Sequence, residues 1–180
     1  MICSSCAIIG YKPTQFKFKY NEKHRSCKRI KESLRDQIVF LHGRGVCKFY
    51  IGGSLGVDIW AGEIILHLSE LSAFADLEIA LVLPFEGHDS NWDDYNKRRM
   101  DYIRRHSHSV TILGSPDWSP FECYRKRNRY LVDQSDCILA VYNPAISVRG
   151  DAAAMAKLSQ KKGIPITYIL PDTGQVINLE

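Results

Sequence analysis

The chain lacks the features that assign a protein to a membrane, a secretory route or a disordered class. None of its apolar runs approaches membrane-spanning length, and the amino terminus lacks the basic segment and cleavage site of a secretory signal. Low-complexity tracts, solenoid repeats and linkers rich in Pro, Gly and Ser are also absent. We therefore expect one cytoplasmic domain over residues 1–180, with no membrane as a partner.

Six cysteines are present, but their spacing favours neither disulfides nor a metal centre. Two of them lie in apolar strand-like runs, so we expect reduced thiols. Cys3 and Cys6 form a C-x-x-C without the second pair that a zinc site needs. His106 and His108 have no third ligand at suitable spacing. The sequence therefore predicts no metal site.

The net charge of +4 is modest but unevenly distributed. Basic residues crowd two predicted helices, at Lys97, Arg98, Arg99, Arg104 and Arg105 and at Arg125, Lys126, Arg127 and Arg129. Such clusters suit nucleic acid or an anionic metabolite, and the alternative is a solvated helix face.

Strand and helix patterns alternate along the whole chain. Strands are predicted at 6–9, 46–51, 77–83, 110–113, 137–142 and 164–170, and helices at 23–42, 57–73, 92–106, 121–134 and 151–162. Repeated β-α-β units need right-handed crossovers, which place parallel strands between two helical layers. The predicted fold is α/β, a Rossmann-like three-layer α/β/α sandwich with a mainly parallel sheet.

Four loops are predicted at the carboxyl edge of this sheet, at 10–13, 52–58, 84–90 and 142–151. In open parallel sheets, ligands bind at this edge, where the strand order changes direction. We therefore expect the candidate binding residues to converge there.

The run 51–58, Ile-Gly-Gly-Ser-Leu-Gly-Val-Asp, joins a strand to a helix. Glycines let the backbone approach a ligand closely, and the helix start offers N–H groups and a positive dipole end. These features predict an anion site, most often for phosphate, at Gly53, Ser54, Leu55 and Gly56. No Gly-Lys-Ser/Thr closes the loop, so it is not a Walker loop, and a structural turn is the alternative.

The penultimate helix contributes an amide and a guanidinium. Asn128 shares an inward-facing stripe with Phe121, Tyr124 and Leu131. A buried amide needs partners, which are either a loop backbone or a ligand. Arg127 suits phosphate or carboxylate if it turns toward the crevice.

Two carboxylates stand at helix starts near the same edge. Asp58 either caps amides in the first turn of its helix or accepts from a ribose hydroxyl. Gly150 and Asp151 open the last helix, where the aspartate occupies the place that an anion would take. Glu63, further along an apolar helix surface, is interpreted as structural.

Three segments match motifs that occur together in one superfamily. Segment 6–13, Cys-Ala-Ile-Ile-Gly-Tyr-Lys-Pro, is similar to a strand followed by T-G-[HY]-[RK]-P. Segment 53–60 is similar to G-x-x-L-G-V-[DE]-x-W, and segment 127–136 to R-N-x-x-[LM]-V-D-x-S-D. In this order they resemble the SLOG superfamily of Rossmann-like proteins, specifically its bacterial YpsA-like branch.

The resemblance implies a crevice that binds nucleotides or their derivatives, bordered by Gly10, Tyr11, Lys12 and Pro13. It also implies kinship with the cytokinin-activating phosphoribohydrolases and the DNA-processing protein A family. In the phosphoribohydrolases an arginine precedes a Ser-Asp pair by eight residues, which is the spacing of Arg127 in this chain.

The chain departs from the phosphoribohydrolase pattern at the catalytic glutamate. That glutamate follows P-G-G-x-G-T, but segment 147–151 reads Ser-Val-Arg-Gly-Asp, and Ala154 takes the place of the glutamate. Arg149 also replaces the first glycine of the branch's G-G-T motif. Because an oxocarbenium-like transition state needs a nearby carboxylate, these changes disfavour glycosidic hydrolysis.

The sequence is compatible with three functions. The leading one is a sensor or regulatory protein that binds ADP-ribose or an NAD-like compound, with no required cofactor and no assigned catalytic residue. The second is a nucleotide hydrolase or phosphoribohydrolase-like enzyme that uses Asp151 or Asp58. The third, on thinner support, is a single-stranded nucleic-acid binder related to DNA-processing protein A. A homo-oligomer paired through a helical layer is a further expectation.

Overall fold

A computed structural model describes residues 3–146 and 149–178. The strands are β1 (Ser5–Gly10), β2 (Lys48–Ile51), β3 (Glu78–Leu83), β4 (Ser109–Ile112), β5 (Cys137–Val141), β6 (Ile166–Ile169) and β7 (Val176–Asn178). The helices are α1 (Arg25–His42), α2 (Val57–Ser69), α3 (Asp94–His106), α4 (Pro120–Asp133) and α5 (Asp151–Lys161). Short 3-10 turns lie at Pro13–Gln15 and Ser72–Phe74.

The seven strands form one sheet in the order β4-β3-β2-β1-β5-β6-β7. The chain moves outward from β1 to β4 and then returns to place β5 beside β1, so the strand order changes direction between these two strands. Helices α1, α2 and α3 pack as neighbours, and α4 packs on α5. The predicted Rossmann-like three-layer fold with a mainly parallel sheet is confirmed.

The central strands form the middle of the core because helices cover both of their faces. Residues 6–9 of β1 and 138–141 of β5 are at most 1% exposed. From α1, a stripe at helical spacing joins the same cluster through Cys27, Ile30, Leu34 and Ile38. A Cβ on Gly10 would lie 2.5 Å from the Val57 side chain, so glycine lets α2 start against the end of β1.

The structure corrects several details of the sequence prediction. Strand β7 was not predicted, and it pairs antiparallel with β6. The second helix ends at Ser69 instead of 73, and a 3-10 turn follows. Phe121 was predicted to face inward but is 74% exposed, because it lies in the first turn of α4, beyond the covered part of the helix.

Residues 147 and 148, part of the loop compared with the phosphoribohydrolase motif, lie outside the described residues. Among the helices of the described residues, none combines the length and the apolar character needed to cross a bilayer.

Candidate functional site

The loops after β1 and β2 touch each other at the carboxyl edge of the sheet. Gly56 is the residue before α2 and has a φ of 89°. A Cβ on it would lie 2.9 Å from the Tyr11 carbonyl oxygen and 3.1 Å from the Pro13 ring. Both the backbone angle and the close approach therefore require glycine here. Among the described residues, no side chain caps the start of α2, which leaves its first amide groups without a capping acceptor.

Arg127 lies directly beneath the glycine loop. Its Nη1 donates to the Gly52 carbonyl oxygen at 2.6 Å and to the Ser54 hydroxyl at 3.3 Å. Its Nε donates to the Asn128 side-chain oxygen at 2.8 Å. A Cβ on Gly52 would collide with the guanidinium, which explains the glycine. At 2% exposure, the arginine supports the loop from inside the protein instead of projecting into the crevice.

Two carboxylates flank this guanidinium, each 3.8 Å from one of its terminal nitrogens. Asp58 accepts from the Ser54 amide at 2.9 Å, so its carboxylate stabilises the loop in front of the helix. Burial raises the pKa of Asp58, and the charge of Arg127 opposes that shift. Asp58 is therefore a structural acceptor inside the loop.

Asp151, the second carboxylate, joins the start of α5 to the loop after β1. It accepts from the Asn128 amide at 3.0 Å and lies 3.2 Å from the Lys12 ammonium nitrogen. Burial acts to raise the pKa of Asp151, but Lys12 and Arg127 together hold it below its ordinary value. Gly150, with a φ of 148°, sets the chain direction into α5.

Open space adjoins this cluster on two sides. A cavity of about 180 Å³ lies between the two loops, and its lining includes Lys12, Ser54, Leu55, Trp92 and Tyr124. A groove of about 340 Å³ lies between α4 and α5, and its lining includes Tyr124, Asn128, Asp151, Ala154, Met155 and Leu158. Tyr124 borders both spaces, and the Lys12 ammonium lies 5.0 Å from the centre of its ring. The arrangement offers a half-exposed cation beside an apolar groove.

His88 was not identified from the sequence, although it lies in the predicted loop 84–90. Its Nε2 donates to the Gly53 carbonyl oxygen at 2.9 Å, and its ring packs edge-on against Trp92 at 5.5 Å. Burial lowers the pKa of His88, so the ring is neutral at pH 7. Its Nδ1 is buried without a hydrogen-bond partner among the described residues. His88 therefore holds the glycine loop at the carbonyl oxygen next to the one that Arg127 binds.

The basic clusters separate into different environments. The Arg99 guanidinium binds Glu22 at 2.7 Å and Glu63 at 2.6 Å, so Glu63 has the structural role expected for it. Arg104 pairs with Glu86 at 2.9 Å. Of the two clusters, Arg127 is buried beneath the glycine loop, whereas Arg125 and Arg129 line the groove between α4 and α5.

Comparison with known proteins assigns the family. The family model described as the YspA SLOG family matches residues 6–173. The chain belongs to this family. Among curated relatives, the UPF0398 protein YpsA of Bacillus subtilis (strain 168) is 28% identical over 171 residues, which cover 92% of each chain. A UPF0398 protein of Bacillus cereus (strain ATCC 14579) is 26% identical over 157 residues, covering 87% of this chain and 83% of the relative.

Solved structures share the fold of this SLOG family member. DNA processing protein A of Streptococcus pneumoniae superposes with a TM-score of 0.63 at 17% identity, covering 93% of this chain and 50% of that one. DNA processing protein A of Helicobacter pylori, described with a single-stranded DNA binding mode, superposes with a TM-score of 0.59 at 20% identity. The match covers 92% of this chain and 64% of that one. This chain thus spans about half to two thirds of those proteins.

Proposed function

We propose that this SLOG family member binds a nucleotide-derived ligand of the ADP-ribose or NAD class at the carboxyl edge of its sheet, and acts as a sensor or regulatory protein. The observation that carries the proposal is the position of Lys12. Its side chain is 45% exposed and stands between the glycine loop and the groove that begins at Tyr124.

The phosphate part of such a ligand fits the loop side of the crevice. Lys12 supplies an accessible ammonium, and the start of α2 supplies amides and a positive dipole end. Bound phosphate would compete with Asp151 for Lys12, which lies 3.2 Å from that carboxylate. Arg127 is a positioning residue in this account, because its bonds to Gly52 and Ser54 fix the loop from below.

The base or ribose part fits the groove between α4 and α5. Its volume of about 340 Å³ falls within the range of small-molecule pockets, and its wall combines apolar side chains with a few polar groups. Asn128 and Asp151 stand at its inner end, where they offer acceptors and donors for hydroxyl groups. A ligand with separated phosphate and nucleoside parts therefore matches the two spaces on either side of Tyr124.

The same residues favour binding without turnover. Ala154 lines the groove where the related phosphoribohydrolases carry a glutamate, so that position offers no carboxylate. The Asp151 carboxylate is bound to Asn128 and Lys12, and its lowered pKa makes it a poor proton donor. We expect no product from nucleoside monophosphates or NAD, with either the native chain or Asp151→Asn. Turnover abolished by Asp151→Asn would establish the enzyme alternative.

Calorimetric titration with a panel of ADP-ribose, NAD, AMP and ADP tests the proposal. We expect binding by at least one member, weakened about tenfold or more by Lys12→Ala, since a hydrogen bond to a charged group contributes about 1.5–3 kcal/mol. Lys17→Ala is the matched control, because Lys17 is 83% exposed and pairs with Asp172. No binding by any member, or equal losses in both variants, would contradict the proposal.

A second candidate is a single-stranded nucleic-acid surface on the outer side of α4. The Lys126 ammonium lies 3.7 Å from the centre of the Trp118 ring, and Arg125, Arg129 and Tyr130 border the same depression of about 630 Å³. Cationic groups interleaved with aromatic rings are the usual means of binding single strands. One of the solved relatives is described with a single-stranded DNA binding mode, which adds to the case.

Electrophoretic mobility shift with a single-stranded oligonucleotide at increasing salt tests this second candidate. If this surface binds single strands, its affinity for the oligonucleotide falls steeply as salt increases. Trp118→Ala then binds more weakly than the native chain, because a stacking platform is lost. A flat response in both the native chain and the variant would remove it.

A further inference from the structure

His42, Cys47 and Asp76 meet at the amino edge of the sheet, opposite the crevice. His42 lies in the last turn of α1, Cys47 directly precedes β2, and Asp76 precedes β3. The His42 Nε2 lies 2.8 Å from Asp76 Oδ1, and the Cys47 thiol donates to Asp76 Oδ2 at 3.0 Å. We propose that these three side chains bind one borderline divalent transition-metal ion, of which Zn²⁺ is the representative.

The separations of the ligand atoms fit such an ion. One nitrogen, one sulfur and one oxygen lie within 4.8 Å of one another. In a tetrahedral zinc site, bonds of about 2.0–2.3 Å place the ligand atoms about 3.3–3.6 Å apart. The His42 nitrogen and the Cys47 sulfur already lie within 3.0 Å of the Asp76 oxygens, so an ion that replaces these two hydrogen bonds needs side-chain rotations of all three residues. The combination of imidazole, thiolate and carboxylate favours zinc-like ions over Mg²⁺ or Ca²⁺.

The backbone around the three residues holds them in place. The Glu78 amide donates to the Cys47 carbonyl oxygen at 2.8 Å, and the Val46 amide donates to the Leu41 carbonyl oxygen at 3.1 Å. These bonds connect the end of α1 to the starts of β2 and β3. The His42 ring also packs on Phe74, with ring centres 5.0 Å apart, which fixes its orientation. A site on such supported segments needs little backbone reorganisation to bind an ion.

The outer side of the cluster is open to solvent. The Asp76 side chain is 61% exposed, whereas that of His42 is 18% exposed. Three protein ligands with an accessible fourth position are the pattern of zinc sites that retain a water molecule or an exchangeable ligand. The bound ion would join α1, β2 and β3 and leave one coordination position for a solvent molecule.

Titration of the chelator-treated protein with Co²⁺, followed by competition with Zn²⁺, tests the site. We expect one ion per chain and a thiolate-to-cobalt charge-transfer band in the near ultraviolet. Cys47→Ser should abolish the band and weaken binding at least about tenfold. Asp76→Ala should keep the band but weaken binding to a similar degree. Because the Asp76 side chain is 61% exposed, this change should leave the fold intact.

Cys3→Ser is the matched control, because Cys3 is also a partly exposed thiol and lies close to a second cysteine, Cys137. Its spectrum and affinity should equal those of the native chain. Absence of the band, its survival in Cys47→Ser, or its loss in Cys3→Ser would overturn the proposal. Because this cluster and the crevice occupy opposite sheet edges, Lys12→Ala should leave metal binding unchanged.

Discussion

The Arg127 guanidinium is a positive charge held almost entirely out of water, between Asp58 and Asp151. A buried charge is tolerated only when its hydrogen bonds and its counter-charges are both supplied. Its bonds to Gly52, Ser54 and Asn128 supply the first requirement, and the carboxylates supply the second. Arg127 thus determines the position of the glycine loop without itself reaching solvent.

Replacing Arg127 with alanine should destabilise the fold strongly. The change leaves the buried Asp58 carboxylate without its counter-charge and the Gly52 carbonyl oxygen without its donor. Loss of one partner from a buried pair costs about 3–5 kcal/mol, which urea denaturation measures. Arg125→Ala, at an exposed position of the same helix, should change the unfolding free energy by less than about 0.5 kcal/mol. Similar values for the two variants would contradict the structural role of Arg127.

The stability of the fold should depend on pH through the carboxyl group of Glu22. Burial acts to raise the pKa of Glu22, but hydrogen bonds from Arg99 and Lys31 lower it to about 2. A carboxyl group with a lowered folded-state pKa stabilises the fold above its unfolded pKa, and this contribution disappears as the pH falls through the folded pKa. The unfolding free energy should therefore fall between about pH 5 and pH 2, by roughly 1–3 kcal/mol for this group after solvent screening.

Glu22→Gln should flatten that part of the pH dependence, measured by urea denaturation at several pH values. Glu32→Gln, at an exposed position of α1, provides the control and should retain the native slope. An unchanged slope in Glu22→Gln would show that the Arg99 network does not carry the acid sensitivity.

At the scale of elements, the turn between β2 and α2 depends on glycine at position 56. The positive φ of 89° and the 2.9 Å approach to the Tyr11 carbonyl oxygen would both penalise a side chain. Gly87 has a similar φ of 74°, but nothing in the described part of the chain lies within 4 Å of a Cβ placed on it. Position 56 therefore combines a strained backbone with steric contact, whereas position 87 has a positive φ without such contact.

Gly87→Ala should cost about 1–2 kcal/mol of unfolding free energy, the penalty for a left-handed residue with a side chain. Gly56→Ala should cost at least about 1 kcal/mol more, since the loops after β1 and β2 must also move apart. Thermal unfolding of both variants measures the difference. Equal losses would mean that the contact between the two loops is not tight.

The sequence predicted best the elements whose apolar residues recur at a regular spacing because they pack against the core. The apolar runs of β1 and β5 and the stripe of α1 have clear periods because they face the core. Strand β7 is only three residues long and lies at the sheet edge, so it has no such signal. Phe121 shares the helical spacing of α4 but lies in its first turn, where the described part of the chain leaves it 74% exposed.

At the scale of the whole molecule, topology explains why the carboxyl-edge loops could be predicted to converge. Parallel strands bring the ends of β1, β2, β3 and β5 to one edge, whatever the details of the side chains. The burial of Arg127 beneath the glycine loop could not be predicted, because it depends on how far α4 reaches across the sheet. The meeting of His42 with Asp76 likewise depends on loop paths at the other edge.

Hydrogen exchange of the whole chain with and without ADP-ribose tests the central claim, that the carboxyl edge of the sheet is the ligand site. We expect slowed exchange in the loops 10–13 and 52–58 and at the start of α5, with unchanged exchange around His42 and Cys47 at the opposite edge. Protection confined to other surfaces, or no protection at ligand concentrations that calorimetry shows to be saturating, would contradict it.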